Sequence, residues 1–226
     1  PDICPARRMT SRTPSHGRLG VHGRLLATSS TSGVRVGSLC VSAPGTRTQM
    51  AHLLADIRAR GIKTSVDVVS ESGDRFARLV PPALRYTDYC VINELEASAT
   101  TGIPLRAPDG ALLVSALPRA LEKLHEMGVA EWAVIHAPEG GYGMDRRGEY
   151  VAANSLALPA DFIQGKVGAG DAFCAGVLAS AVRNASLADA VRLGIATAAM
   201  SLSRPDATSG VGSADDGLAL YAKYAR

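Results

Sequence analysis

From Val34 to the C-terminus, short apolar runs of strand length alternate with longer segments whose apolar residues recur at helical spacing. That alternation constrains the chain most, because strands that alternate with helices pack as a sheet covered on both faces. Residues 34–41 alternate as a strand does. Residues 46–60 place Met50, Leu53, Leu54 and Ile57 on one helical face and stop at Gly61. A β-branched run at 64–69, interrupted by Asp67, precedes a weaker helical stretch at 74–86 that carries Pro81 and Pro82. Residues 89–92 read as a strand, 94–100 as a short helix stopped by Gly102, and 112–127 as an amphipathic helix closed by Gly128. A buried strand at 132–136 leads to turn residues and a hairpin at 140–151. Two Ala-rich helices, 169–182 and 187–203, and a shorter one at 214–224 complete the chain. The expected fold is α/β: three layers around a mostly parallel sheet.

Residues 1–33 break this rhythm. They are rich in Arg, Ser, Thr, Gly and Pro without a regular period, and read as a disordered or foreign leader to a core at 34–226. The formal charge of +3 is concentrated there, but the leader has no aromatic residue, which argues against nucleic-acid binding. No apolar run approaches the roughly 18 residues of a membrane span, and no signal-peptide pattern opens the chain; the expected location is the cytoplasm. Cys4, Cys40, Cys90 and Cys174 form no CxxC pair and read as reduced thiols, buried in the apolar contexts of the last three.

The chemistry concentrates in Lys166-Val-Gly-Ala-Gly-Asp-Ala-Phe-Cys-Ala-Gly-Val177. Gly168 and Gly170 let backbone approach a ligand closely, and the helix that starts there directs N–H groups and a positive dipole end at the same point. That makes an anion site, with the Asp171 carboxylate beside it to accept a proton from an attacking hydroxyl. The spacing alone also fits a glycine turn entering a closely packed helix. It does not fit the P-loop or the GxGxxG dinucleotide pattern.

Asn93-Glu94-Leu95-Glu96 follows a strand, where ligands bind in open α/β sheets. Asn93 and Glu96 have the spacing of a capping box, and equally of an amide and carboxylate that organise magnesium, Glu96 acting through water. The third element, His136-Ala-Pro-Glu-Gly-Gly-Tyr-Gly143, places glycines past a strand end, either over a nucleotide or in a plain hairpin turn. His136 reads as structural, since no Ser or Cys nucleophile is paired with it.

In this order the three elements resemble the ribokinase-like carbohydrate kinases, a family that includes adenosine kinases. The resemblance covers Val34 onward and rests on Asn93 and Glu96, on Glu139-Gly140-Gly141, and on Gly168-Ala169-Gly170-Asp171 running into Ala172-Phe173. It implies ATP-dependent phosphorylation of a hydroxyl on a sugar or nucleoside. Asp171 would be the base and Gly168, Ala169 and Gly170 the anion hole, with Asn93 and Glu96 organising Mg2+ and the triphosphate. Glu139, Gly140, Gly141 and the helix at Ala198 would border the nucleotide. Gly165 and Lys166 replace the Asp-Thr pair that helps many members bind a monovalent cation, so potassium dependence is not expected. The family's N-terminal substrate-contacting Asp, Gly-Gly turn and β lid have no counterpart in residues 1–33. That leaves open a non-catalytic nucleotide- or sugar-binding member as the alternative, and leaves a homodimer open as well.

Overall fold

The computed structural model describes residues 48–68, 77 and 79–225, together with two backbone strands at 24–29 and 32–36. Cys4, Cys40 and most of the leader lie outside these residues. Among the described residues, one sheet of seven strands organises the chain. In chain order the strands are β1 (Arg24–Ser29), β2 (Ser32–Val36), β3 (Lys63–Asp67), β4 (Tyr89–Asn93), β5 (Trp132–Ala137), β6 (Gly140–Asp145) and β7 (Tyr150–Asn154). Their spatial order is β2-β1-β3-β4-β5-β6-β7. The backbone thus enters the sheet before Val34, at Arg24.

The α/β class holds, but the sheet is mixed rather than mostly parallel. Only β3–β4 and β4–β5 pair in parallel; the other four neighbours are antiparallel. Connection length explains the difference. β3, β4 and β5 are separated by segments long enough for a crossover, whereas β5, β6 and β7 are joined by tight turns that can only reverse the chain.

Among the described residues the helices are α1 (Gln49–Ala59), α2 (Pro81–Leu84), α3 (Glu94–Thr101), α4 (Leu117–Glu126), α5 (Ala169–Val182), α6 (Leu187–Ser201) and α7 (Ala214–Tyr224). α4 starts later than the apolar spacing suggests, because residues 114–116 form a 3-10 turn ahead of Pro118. Proline has no N–H to donate and therefore favours the first helical turn.

Strand alternation divides the core between the two faces. Cys90 and Ile92 of β4 and Ala133 and Ile135 of β5 pack with Ala97, Leu117, Leu121 and Leu124. Val91 and Val134, on the opposite face, pack with Phe173, Val177, Val191 and Ile195 of α5 and α6. α1 closes a third cluster through Leu54, with Val66 and Ala83. α5 and α6 cross closely enough that a Cβ on Gly176 would come 2.7 Å from the Leu193 carbonyl oxygen and 2.9 Å from Gly194 Cα. The small residues of these helices are therefore a packing requirement before they are anything else. Cys90 and Cys174 are free and buried, and burial pushes both thiols up.

Candidate active site

The parallel strands deliver their C-terminal ends to one place. Asn93, the last residue of β4, is the register partner of His136 near the end of β5. Beside them α5 begins, and a Cβ on Gly170 would come 3.1 Å from His136 Cε1. Phe173, one turn into α5, tilts against the same imidazole at 5.0 Å between ring centroids. The start of α5 is thus seated on the end of β5. Loss of hydration lowers the His136 pKa to about 4, and the negative charge of Asp171 opposes that shift. His136 is consequently a neutral ring at physiological pH, in keeping with a structural role.

Local sequence dictates how α5 starts. Gly168 is its N-cap at φ +82°, ψ 0°, a left-handed conformation that side-chain-bearing residues rarely adopt. A Cβ there would also come 2.8 Å from Ala207 Cα, so glycine is required twice over. With glycine as N-cap, no side chain satisfies the first amides of α5. Thr48 caps α1, Asn93 caps α3, Ser186 caps α6 and Ser213 caps α7, whereas α2 and α4, which carry proline in their first turn, have no side-chain cap either. The positive end of the helix dipole lies at this turn, the kind of terminus at which anions bind, with the Ala169 amide directed at the Lys166 carbonyl oxygen at 3.4 Å. Asp171 stands in the first turn of the same helix and is solvent-exposed, so its carboxylate lies beside that anion position.

Asn93 and Glu96 form the reciprocal capping box. Asn93 Oδ1 accepts from the Glu96 amide at 2.8 Å, and Glu96 Oε2 accepts from the Asn93 amide at 2.9 Å. The box does not consume every acceptor of Glu96, since a carboxylate offers about four lone-pair positions. No group of three His, Cys, Asp or Glu assembles among the described residues. An amide and one carboxylate at a single junction are oxygen donors of the kind magnesium takes, since it keeps most of its waters and accepts one or two protein carboxylates.

Gly140 and Gly141 are not in a loop but are the first residues of β6. A Cβ on Gly141 would come within 2.9 Å of Phe173 and Val191, so this glycine lets α5 and α6 lie flat on the sheet. Glu139, in the turn just before, is exposed, but its carboxylate is gripped by Arg106. Ala198 is half-buried on α6 against the Val91–Val134 cluster. The structure therefore brings together Asn93, Gly170 and Asp171 around His136, while Gly141 and Ala198 belong to the packing beneath. Arg106 and its partner Glu94 escape a sequence reading. Arg106 stands 12 residues from Glu94 and 33 from Glu139, in a loop where no periodicity links them.

The sequence pattern of the pfkB family carbohydrate kinases matches residues 27–213. The chain belongs to this family. The pfkB match begins ahead of Val34, in agreement with the early entry of the backbone into the sheet. Solved structures share the fold. Phosphofructokinase-2 from Escherichia coli, in complex with potassium, is 24% identical with a TM-score of 0.61, over 77% of this chain and 51% of its own. Arabidopsis thaliana ribokinase, complexed with ribose and ATP, is 18% identical with a TM-score of 0.62, over 84% of this chain and 64% of its own. 2-Dehydro-3-deoxygluconokinase from Thermotoga maritima is 16% identical with a TM-score of 0.64, over 76% and 54%. The pfkB chain thus spans between about half and just under two thirds of these proteins' lengths. No curated protein matches it. Among the described residues no helix is long and apolar enough to cross a membrane.

Proposed function

We propose that this pfkB chain is the phosphoryl-transfer portion of an ATP-dependent kinase acting on a hydroxyl of a sugar or related small molecule. The observation that carries the reading is the start of α5: an uncapped helix N-terminus behind a left-handed Gly168, with the exposed Asp171 in its first turn, at the carboxyl edge of β4 and β5. Phosphoryl transfer requires little covalent chemistry from a protein and depends on positioning and charge stabilisation. Asp171 accepts the proton of the acceptor hydroxyl as its oxygen bonds to the γ-phosphorus; the bond from that phosphorus to the bridging oxygen breaks, and ADP leaves. The amides of Gly168 to Gly170 donate to the phosphoryl oxygens as charge develops on them. Asn93 and Glu96 would hold magnesium through its waters, and the bound ion would offset charge on the phosphates. The turn at Pro138 and Glu139 borders the nucleotide, with Gly141 and the α6 segment at Ala198 packed beneath it.

The test is magnesium- and ATP-dependent ADP release across a panel of sugars and nucleosides, with Asp171→Asn alongside. The expected result is turnover with one acceptor class that Asp171→Asn lowers by about 10²-fold or more. Wild-type turnover in Asp171→Asn removes Asp171 from the role of base. Binding of MgATP without turnover on any acceptor identifies a nucleotide-binding, non-catalytic member instead.

A further inference from the structure

Arg106 lies outside every motif that carries the kinase reading, yet its guanidinium holds three separated segments at once. Its Nε and one terminal nitrogen donate to Glu94 Oε1 at 3.1 and 2.7 Å. The other terminal nitrogen donates to the Gly110 carbonyl at 3.1 Å. Both terminal nitrogens also reach Glu139, one to Oε1 and the other to Oε2 at 2.9 Å. The planar fork of arginine suits such a two-sided grip, and lysine, a single point charge, cannot reproduce it.

The positions of the two carboxylates give this grip its meaning. Glu94 is the first residue of α3, between Asn93 and Glu96. Glu139 immediately precedes Gly140, where β6 begins. Asn93 and His136 are joined by strand register. Beyond the strand ends the side chains of Glu94, Arg106 and Glu139 continue the connection. Glu94 is 7% exposed and the Arg106 side chain 19%, so their bond is shielded from water. The Glu139 side chain is 43% exposed, which leaves it free to be changed without disturbing the core.

We propose that Arg106 is a positioning residue that locks the β4–α3 junction at Asn93–Glu96 to the turn at Pro138 and Glu139, and so presets the nucleotide side of the site before ATP arrives. This inference rests on the kinase reading for the identity of the ligand. The clamp itself rests only on the contacts just given.

The experiment is a fluorescent-nucleotide titration of MgATP affinity, with steady-state kinetics, on wild type, Arg106→Met, Arg106→Lys, Glu139→Gln and the Arg106→Met/Glu139→Gln double variant. Arg106→Met is expected to raise Kd and KM for MgATP about tenfold while kcat changes much less, in line with the loss of residues that orient ligand-holding groups. Arg106→Lys recovers part of the loss. Glu139→Gln produces a smaller loss, and the double variant is no weaker than Arg106→Met, because both changes cut one link. Unchanged Kd in a folded Arg106→Met protein, or simple addition of the two single effects, overturns the proposal. Should Arg106→Met fail to fold because Glu94 is left buried and unpaired, Glu139→Gln decides alone: wild-type Kd overturns the clamp. A folded wild type that binds no MgATP sinks the kinase reading, and amide hydrogen exchange then reads the clamp by itself. Faster exchange at both turns in Glu139→Gln upholds the coupling; a change confined to Glu139–Gly141 removes it.

Discussion

The two ends of β3, β4 and β5 carry aspartates in opposite situations. At the amino ends, Asp88 is 2% exposed and accepts from the Thr64 amide at 2.8 Å, the Thr64 hydroxyl at 3.2 Å and Lys63 Nζ at 3.2 Å. Its own carbonyl accepts from the amides of Glu131 and Trp132, which starts β5. This end is sealed by bonds that run inward. At the carboxyl ends, Asp171 is exposed at the start of a helix that no side chain caps, beside the meeting of Asn93 and His136. The same residue type is a staple at one end of the strands and, in the proposed function, the catalytic base at the other. Where each carboxylate finds its donors distinguishes stability from chemistry more sharply than residue identity does.

Substituting each aspartate separates the two roles. Asp171→Asn is expected to lower turnover by about 10²–10⁴-fold, the usual contribution of a general base, with an unchanged melting temperature. Asp88→Ala does the reverse. It leaves the buried Thr64 amide without its acceptor, at about 2 kcal/mol of stability, and spares the turnover of the molecules that remain folded. Urea melts and initial rates on both variants check this. A destabilised Asp171→Asn, or an Asp88→Ala protein impaired in turnover beyond its loss of folded material, erases the distinction between the ends.

His136 tests the comparison from beneath the site. Its pKa is lowered to about 4 from the ordinary 6.5, so the unfolded chain takes up a proton before the folded one does. The stability linked to its neutral form is complete above about pH 6.5 and declines as the pH falls toward 4. A change of about 3 kcal/mol is expected across that window, with the imidazole NMR signals of His136 titrating near 4. An ordinary titration near 6.5 would mean that the start of α5 does not seat on this ring.

Much of this arrangement is legible in the sequence, and what is not shares one physical cause. The strand read at 89–92, the stop of α3 at Gly102 and the bounds of α5 and α7 follow from short-range signals: apolar runs, a helix-stopping glycine and small or apolar residues at helical spacing. The Gly168–Asp171 turn is legible for the same reason, since all its parts are adjacent. Strand direction is less so. Residues 140–151 read as a hairpin, but the antiparallel return of β6 onto β5 depends on the turn at Pro138 and Glu139. Gly141 could be a loop glycine or a packing glycine by sequence, and only the approach of Phe173 and Val191 identifies it as the second. Arg106 is the extreme case, because its meaning comes entirely from partners that the fold carries to it.

The smallest expected effect belongs to Lys63, and it separates the components of the sealed end. Lys63 Nζ bonds Glu131 at 2.6 Å and Asp88 at 3.2 Å, but its side chain is 51% exposed. Exposed ion pairs contribute about 0–1 kcal/mol, so Lys63→Met should cost less than about 1 kcal/mol and clearly less than Asp88→Ala. The Glu131 hydrogen bond, with the charge of Asp88, raises the Lys63 pKa above 10.5. The stabilisation is therefore present in full below that value and is lost as the pH rises through the folded-state pKa, where wild type and Lys63→Met should converge. Urea midpoints of the two proteins at neutral and at strongly alkaline pH measure the convergence. A neutral-pH loss as large as that of Asp88→Ala would show that charge, rather than the buried hydrogen bonds between Asp88 and Thr64, closes this end of the sheet.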